Sequence, residues 1–330
     1  MILRLSTSIC ANSNDIFRHM RYPFITLLTV PRRGVTAPPS CRVRRVGLMA
    51  LFSLGTAVIS GAPAAAAPTQ SGPVDVLSAG SLQDLMQQQI GPAFTKATGY
   101  TLNDTSMGSD ALASGIRGGT LQGDVFISAS PAVNATLEGS ANGDWVSWFS
   151  QFATSPLVLG YNPSSAYAHE LKTEPWYDVI SKPGFLLGRT DPATDPKGVL
   201  AVTALDEAAK EYHVSALATL ATTTSNVFPE ETLVGQLQAG QLDAGFFYGV
   251  EAAAAGIKTV PLTGTHLSGA YTITILNRAP HPAAARAFLA YLLGADGQRI
   301  LKENGVPVVT PTKVSGQSHV PSDVKPLLQR

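Results

Sequence analysis

The sequence predicts an α/β protein built as two lobes. Three observations predict it. Strand-like and helix-like runs alternate from Val74 onward. Small polar residues stand where strand passes into helix. No fixed-period repeat and no long linker interrupts the order. "VDVLSA" (74–79) reads as the first strand. "LQDLMQQQIGPAFTKATG" follows as a helix, with Leu82, Leu85, Met86, Ile90 and Phe94 near helical spacing. "YTLNDTSM" is a second strand, "DALASGIRGG" a helix ending at glycine, and "DVFISAS" (124–130) a third strand. That order implies parallel strands. The alternation resumes through "FLLGRTDP", "VLAVTALDEAAKEY", "ETLVGQLQAGQ", "DAGFFYG" and "GIKTVPL". "SPLVLGYN" and "AYTITILN" are the expected crossings between the lobes, and "PAAARAFLAYLLGADGQRILKENG" is a helical stretch.

The first 67 residues are of another kind. Residues 42–67 read as a secretory signal: Arg42, Arg44 and Arg45 lead, Val46 to Ser60 are apolar, and an Ala-rich cleavage region follows. The apolar run is short for a membrane span, so cleavage near Ala67 and a secreted, periplasmic or cell-envelope protein are expected. Residues 1–41 carry one acid, Asp15, and form an N-terminal extension left out of the fold expectations. Cys10 and Cys41 both precede the cut. The mature chain is therefore expected to have no disulfide and no cysteine metal ligand. Cys41 follows "VTAPPS" and not an apolar run, which argues against a lipid anchor.

From residue 68 onward there are 15 basic and 22 acidic residues, a net charge of −7 over about 263 residues. This length suits two domains. A mildly acidic chain without a Lys/Arg cluster is a poor nucleic-acid binder. Any anion it holds must be held by local dipoles.

Two turns offer such dipoles. Ser81 follows the first strand and Ser109 the second, each at a helix start. Each hydroxyl can cap its own helix. Free N–H groups and the helix dipole also suit an anion there, and ligands of α/β sheets sit beyond the carboxyl ends of parallel strands. "GRTDPATDPKG" (188–198) places Asp191 or Asp195 beside another helix start, with the backbone N–H groups of Lys197 and Gly198. Glu230 and Glu231 open a further helix, where acids complement the dipole. Tyr248 ends a buried-looking strand, and its hydroxyl can donate to an oxyanion. The motifs of serine hydrolases, P-loop proteins and zinc proteases are missing, and no two of the five histidines after residue 67 stand at metal-ligand spacing.

"VLSAGSLQDLM", "GSDALASGI", "GDVFISAS", "GRTDPATDPKG", "PEETLVGQLQAGQLDAGFFYG" and "AFLAYLLGADGQRILKENGV" fall in order from about Val74 to Val309. Together they resemble the extracellular molybdate/tungstate-binding proteins of ABC importers. The resemblance implies a type II periplasmic binding protein fold, with crossover strands as hinge and a ligand cleft between the lobes. It implies lobe I at 74–153 and 265–330 and lobe II at 154–264. It also implies an oxyanion held by Ser81, Ser109, Lys197, about Glu230, and Tyr248. "DPATDPKG" and Glu230, 18 residues before Tyr248, look like the family's branch in which two carboxylates bind the metal and make it six-coordinate. The implied metal ligands are Glu230 and Asp195, which lies closer to the helix start, with Asp191 as its substitute. The "PKG" departs from that branch's pattern. Molybdenum and tungsten can accept the extra oxygens, whereas sulfur and phosphorus cannot, so such acids would repel sulfate and phosphate.

The function expected is capture of molybdate or tungstate for an ABC permease, by a monomer with no cofactor and no catalysis. The alternatives are the same fold with sulfate, thiosulfate or phosphate, a secreted serine hydrolase using Ser81 or Ser109, and a ligand-sensing module.

Overall fold

The computed structural model describes residues 71–329. The extension at 1–41, the signal at 42–67 and both cysteines lie outside the described residues.

Strand β1 (Gly72–Ala79) pairs in parallel along its whole length with β2 (Tyr100–Met107), and on its other side with β3 (Val125–Ser128). The parallel arrangement expected from the alternation is present. Between β1 and β2 the chain is helical from residue 80 to 98. It passes through a 3₁₀ turn (Gly80–Leu82), α1 (Gln83–Leu85), a π-helical turn (Met86–Ile90) and α2 (Gly91–Thr98). Pro92 has no N–H to give to the turn before it. The ladder widens there, and the Gly91 N–H reaches back to the Met86 carbonyl. Leu82, Leu85, Met86, Ile90 and Phe94 are all buried, each contributing about 1.5–3 kcal/mol. Phe94 meets Phe288 edge to face at 5.3 Å. Gly99 ends the run at φ 84°, a left-handed cap that glycine supplies without strain.

Helix α3 (Ser109–Arg117) follows β2, and α4 (Pro131–Ala135) follows β3. Strand β4 (Phe149–Tyr161) is next. The chain then runs through α5 (Glu170–Thr173), α6 (Trp176–Ile180), β5 (Leu187–Thr190), α7 (Pro196–Glu211) and α8 (Ser215–Thr222). Next come β6 (Val227–Phe228), α9 (Glu230–Gln238), β7 (Ala244–Tyr248), α10 (Gly249–Ala254) and β8 (Lys258–Pro261). It returns in β9 (Ser268–Ile275) and finishes with α11 (Pro282–Leu292), α12 (Ala295–Glu303), β10 (Val308–Ser315) and α13 (Lys325–Leu328).

The strands lie in the order β2-β1-β3-β9-β4-β7-β5-β6, with β8 and β10 also on β4. Strand β4 joins the two halves of this sheet. Ser150 to Pro156 pair antiparallel with β9, and Leu157 to Tyr161 pair antiparallel with β7 and β8. The partners change at Pro156 and Leu157, inside the segment expected to cross. A crossing is thus built as one strand with two sets of neighbours.

Two features go beyond the expectations. The C-terminal helical stretch is two helices, because the chain turns at Gly294, the N-cap of α12. Strand β10 was not anticipated. Its "VVTPTKVS" is half exposed and polar, so burial leaves little mark on its composition. Among the described residues no helix is long and apolar enough to cross a membrane.

Candidate functional site

The carboxyl ends of β1 and β2 deliver two turns made of the smallest residues. Gly80 follows Ala79, and a Cβ on it would overlap Glu230 Cγ. Ser81 is 5 % exposed, and its hydroxyl lies 2.8 Å from the Tyr271 hydroxyl on β9. Gly108 precedes α3, and a Cβ there would overlap the Thr194 carbonyl. Ser109 is fully buried, and its Oγ accepts the Ala129 N–H at 3.0 Å. Neither serine caps its own helix, so the capping expectation is corrected for both. Burial against other elements hands each hydroxyl a distant partner. The N-terminus of α3 is capped from across the cleft: the Asp110 and Ala111 N–H groups both donate to the Thr194 carbonyl at 3.1 Å.

The facing turns come from the second half of the sheet. After β5 the chain folds on Asp191, whose carboxylate accepts the Ala193 N–H at 2.9 Å and whose carbonyl accepts the Asp195 N–H at 2.9 Å. Asp191 therefore builds the turn it sits in. Asp195 is 3 % exposed at the N-cap of α7, and its Oδ2 has no hydrogen-bond partner. The two aspartates that the spacing left open thus differ in surroundings: one is occupied by its own turn, the other is buried and unpartnered. Lys197, second in α7, was expected to act through its backbone N–H, one of those a helix start leaves free. Its side chain is also in the site, with a wholly buried ammonium 2.6 Å from Glu251 Oε2 and 2.7 Å from Glu230 Oε2.

Glu230 opens α9 and is 4 % exposed. Its Oε2 is held by the Lys197 ammonium in this buried ion pair. Tyr248 ends β7 at 1 % exposure, with an unpartnered hydroxyl. Its ring meets Tyr271 at 6.0 Å. Buried polar atoms are normally hydrogen-bonded. Two that are not, on Asp195 and Tyr248, belong to elements that meet around one cleft, to which α9 brings the ion-paired Glu230. On one flank lies a cavity of about 170 Å³ with Gly80, Ser81, Glu230 and Glu251 in its wall. On the other is a groove of about 400 Å³ between Asp110, Ala129, Ser130, Pro196, Val199 and Ser268.

The electrostatics follow from burial. Loss of water pushes Glu230 well above the usual carboxylate range, and the Glu251 carboxylate adds to the push. Burial likewise raises Glu251. Burial alone would lower the Lys197 ammonium, but Glu230, Glu251 and Asp195 outweigh it and hold the group above the usual lysine value. Tyr248 and Tyr271 are both raised, chiefly by burial, so each keeps a proton to donate. The arrangement is a buried cleft lined by hydroxyl and N–H donors, carboxylate oxygens and one internal cation.

Glu251 and Tyr271 were missed by sequence reasoning. An acid three residues into a helix is ordinary, and a tyrosine in "AYTITILN" reads as core. Tyr271 is 190 residues from Ser81, so no local pattern carries the contact.

The bacterial extracellular solute-binding protein family model matches residues 74–306. An uncharacterised solute-binding protein of Petrotoga mobilis is 28% identical over 243 residues, covering 63% of this chain and 75% of the relative. The molybdate/tungstate-binding protein WtpA of Pyrococcus abyssi is 26% identical over 238 residues, 56% of this chain and 69% of that one. The solved periplasmic molybdate-binding protein of Azotobacter vinelandii shares the fold, with a TM-score of 0.58 at 19% identity over 72% of this chain and 100% of that one. The two-part sheet, the cleft at its strand ends and the family match over most of the chain agree: this chain belongs to the bacterial extracellular solute-binding proteins.

Proposed function

We propose that the protein captures molybdate or tungstate in this cleft and hands it to an ABC permease. One observation carries the reading: unpartnered buried oxygens on Asp195 and Tyr248, with the buried Glu230 carboxylate, face turns whose glycines let the opposite wall come into contact. Relatives named for molybdate and tungstate binding support the choice of anion. The chain acts as a binding protein and breaks no bond.

The proposed roles follow from chemistry. Ser81, Ser109 and Tyr248 give hydroxyls to the anion's oxygens, joined by N–H groups at the starts of α7 and α9, near Lys197 and Glu230. Asp195 and Glu230 supply oxygens to the metal centre. Asp191 stays with its turn. A carboxylate pair repels an oxyanion whose centre cannot take more oxygens and bonds one whose centre can. Residues 74–153 with 265–330 form one lobe and 154–264 the other. The change of partners along β4 supports a division close to that point. The apolar run at 46–60 supports secretion with cleavage near Ala67, and the protein works as a monomer.

A thermal-shift titration against tungstate, molybdate, sulfate and phosphate tests this. Ligand at a hundred times its Kd stabilises the fold by roughly 2.7 kcal/mol. Tungstate or molybdate is expected to shift the melting temperature and sulfate is not. Asp195→Asn and Glu230→Gln are each expected to weaken tungstate binding roughly tenfold or more, about 1.4 kcal/mol. A shift with sulfate that equals the tungstate shift would favour the plain oxyanion alternative. Tungstate affinity unchanged in both variants would remove the six-coordinate site.

A further inference from the structure

We propose that Tyr271 is a positioning residue for the cleft: its hydroxyl donates to Ser81 and leaves the Ser81 proton for the bound oxyanion. This rests on the oxyanion reading above and deepens it.

Two tyrosines stand side by side at the cleft and differ in one respect. Tyr248, at the end of β7, and Tyr271, on β9, are both buried, and their rings meet at 6.0 Å. The Tyr248 hydroxyl has no partner. The Tyr271 hydroxyl lies 2.8 Å from Ser81 Oγ, and among the described residues it has no other hydrogen-bond partner.

The direction of this bond follows from counting protons. A hydroxyl has one proton to give and two lone pairs. If Ser81 gave its proton to Tyr271, the phenol proton would be left buried without an acceptor, which is costly. If Tyr271 gives, its proton is satisfied and Ser81 keeps its own. Tyr271 holds that proton firmly until it is shared, because burial raises the group well above the usual tyrosine value. Ser109 reaches the same condition through a different donor. Its Oγ accepts the Ala129 N–H at 3.0 Å, and an N–H can only give. Both serines are therefore acceptors toward the fold and donors toward the cleft. In the chain from Tyr271 through Ser81 each hydrogen bond also polarises the next, which strengthens the Ser81 proton as a donor.

Packing keeps Tyr271 in this role. Its ring is fully buried, with Tyr248 at 6.0 Å and Phe152 at 6.5 Å. Gly269, two residues before it, lies so close to the Tyr248 ring that a Cβ there would come within 2.7 Å of it. Tyr248, with its free hydroxyl, meets the anion directly. Tyr271, its hydroxyl already spent, acts on the anion only through Ser81.

Tyr271→Phe removes the hydroxyl and keeps the ring. Tungstate Kd is measured by calorimetry in the wild type, Tyr271→Phe, Ser81→Ala and the double variant, and ligand-free melting shows whether each folds. In Tyr271→Phe the Kd is expected to rise at least about fivefold, the worth of one ordinary hydrogen bond. In the Ser81→Ala background the same substitution is expected to weaken binding by less than about twofold, because the group it acts through is gone. A merely structural role would carry the same loss into both backgrounds. A smaller rise in Tyr271→Phe, or a further loss of about twofold or more in the double variant, overturns the proposal. Where a variant does not fold or binds too weakly to measure, a crystal structure of the wild type with tungstate decides. The Ser81 hydroxyl is expected within hydrogen-bond reach of a tungstate oxygen, with Tyr271 bonded to Ser81 alone. Tyr271 in contact with the anion, or Ser81 turned away from it, overturns the proposal while the oxyanion reading stands. A wild type that binds neither tungstate nor molybdate removes that reading and this inference together.

Discussion

Two acidic clusters in this chain, each built around a buried carboxylate, differ in what is left over. In the first, Asp124 is fully buried between β1 and the start of α11. Its Oδ2 accepts the Asp75 N–H at 2.8 Å and lies 3.0 Å from His281 Nδ1, and its Oδ1 accepts the His281 N–H at 2.5 Å. Ligand atoms of Asp75, Asp124 and His281 lie within 4.8 Å of one another, a spacing that would suit a cation. Yet both oxygens of Asp124 are already engaged with donors of the fold. In the second cluster, Asp195 and Glu230 are as buried; Glu230 is ion-paired with Lys197, but Asp195 keeps an oxygen without a donor. Burial with every lone pair used fastens elements together. Burial with lone pairs spare is costly, and the cost is sustained where something else is to be bound.

The largest effect expected from this contrast is at Asp124. Asp124→Ala leaves the Asp75 and His281 N–H groups unpaired and should destabilise the protein by about 3 kcal/mol in chemical denaturation. Tungstate affinity of the folded protein should stay as it was. Lost binding with stability intact would move Asp124 into the site and erase the contrast. A smaller effect is expected at the cleft wall. Gly108→Ala forces a Cβ against the Thr194 carbonyl, and overpacking of that kind costs about 1–3 kcal/mol. The penalty falls on the closed arrangement, so calorimetry should show tungstate affinity reduced by roughly tenfold. Unchanged affinity would mean that the two walls need not touch when ligand is held. The smallest effect is expected at Asp191. Asp191→Asn keeps an oxygen for the Ala193 N–H, and both stability and tungstate affinity should stay within about 0.5 kcal/mol. A strong loss of affinity there would exchange the roles given to Asp191 and Asp195.

Much of the scaffold could be read because its signals are local. Apolar spacing placed Leu82 to Phe94 on one buried helix face, and the glycine and serine turns marked the ends of β1 and β2. The Asp-Pro turn gave the start of α7, and "DAGFFYG" a strand ending at Tyr248. The site was legible only as far as single residues go. Ser81 and Ser109 looked like caps because a cap is the nearest use for a hydroxyl. The folded chain gives Ser81 a tyrosine and Ser109 a distant N–H. Lys197 drew attention for its backbone, because nothing in "DPATDPKG" says that Glu251, 54 residues later, will receive its ammonium. Hydrogen bonds between remote elements depend on which walls meet, and that is set by the packing of the whole sheet.

The Thr194 carbonyl at the head of α3 has a consequence for timing. Its two hydrogen bonds join protein to protein, so parting these walls requires both to break, whichever anion the proposed site would hold. Under the proposed function, the residence time of a bound ion would then have a floor that belongs to the protein. A partner that drew Thr194 away from α3 would empty the cleft without handling its cargo.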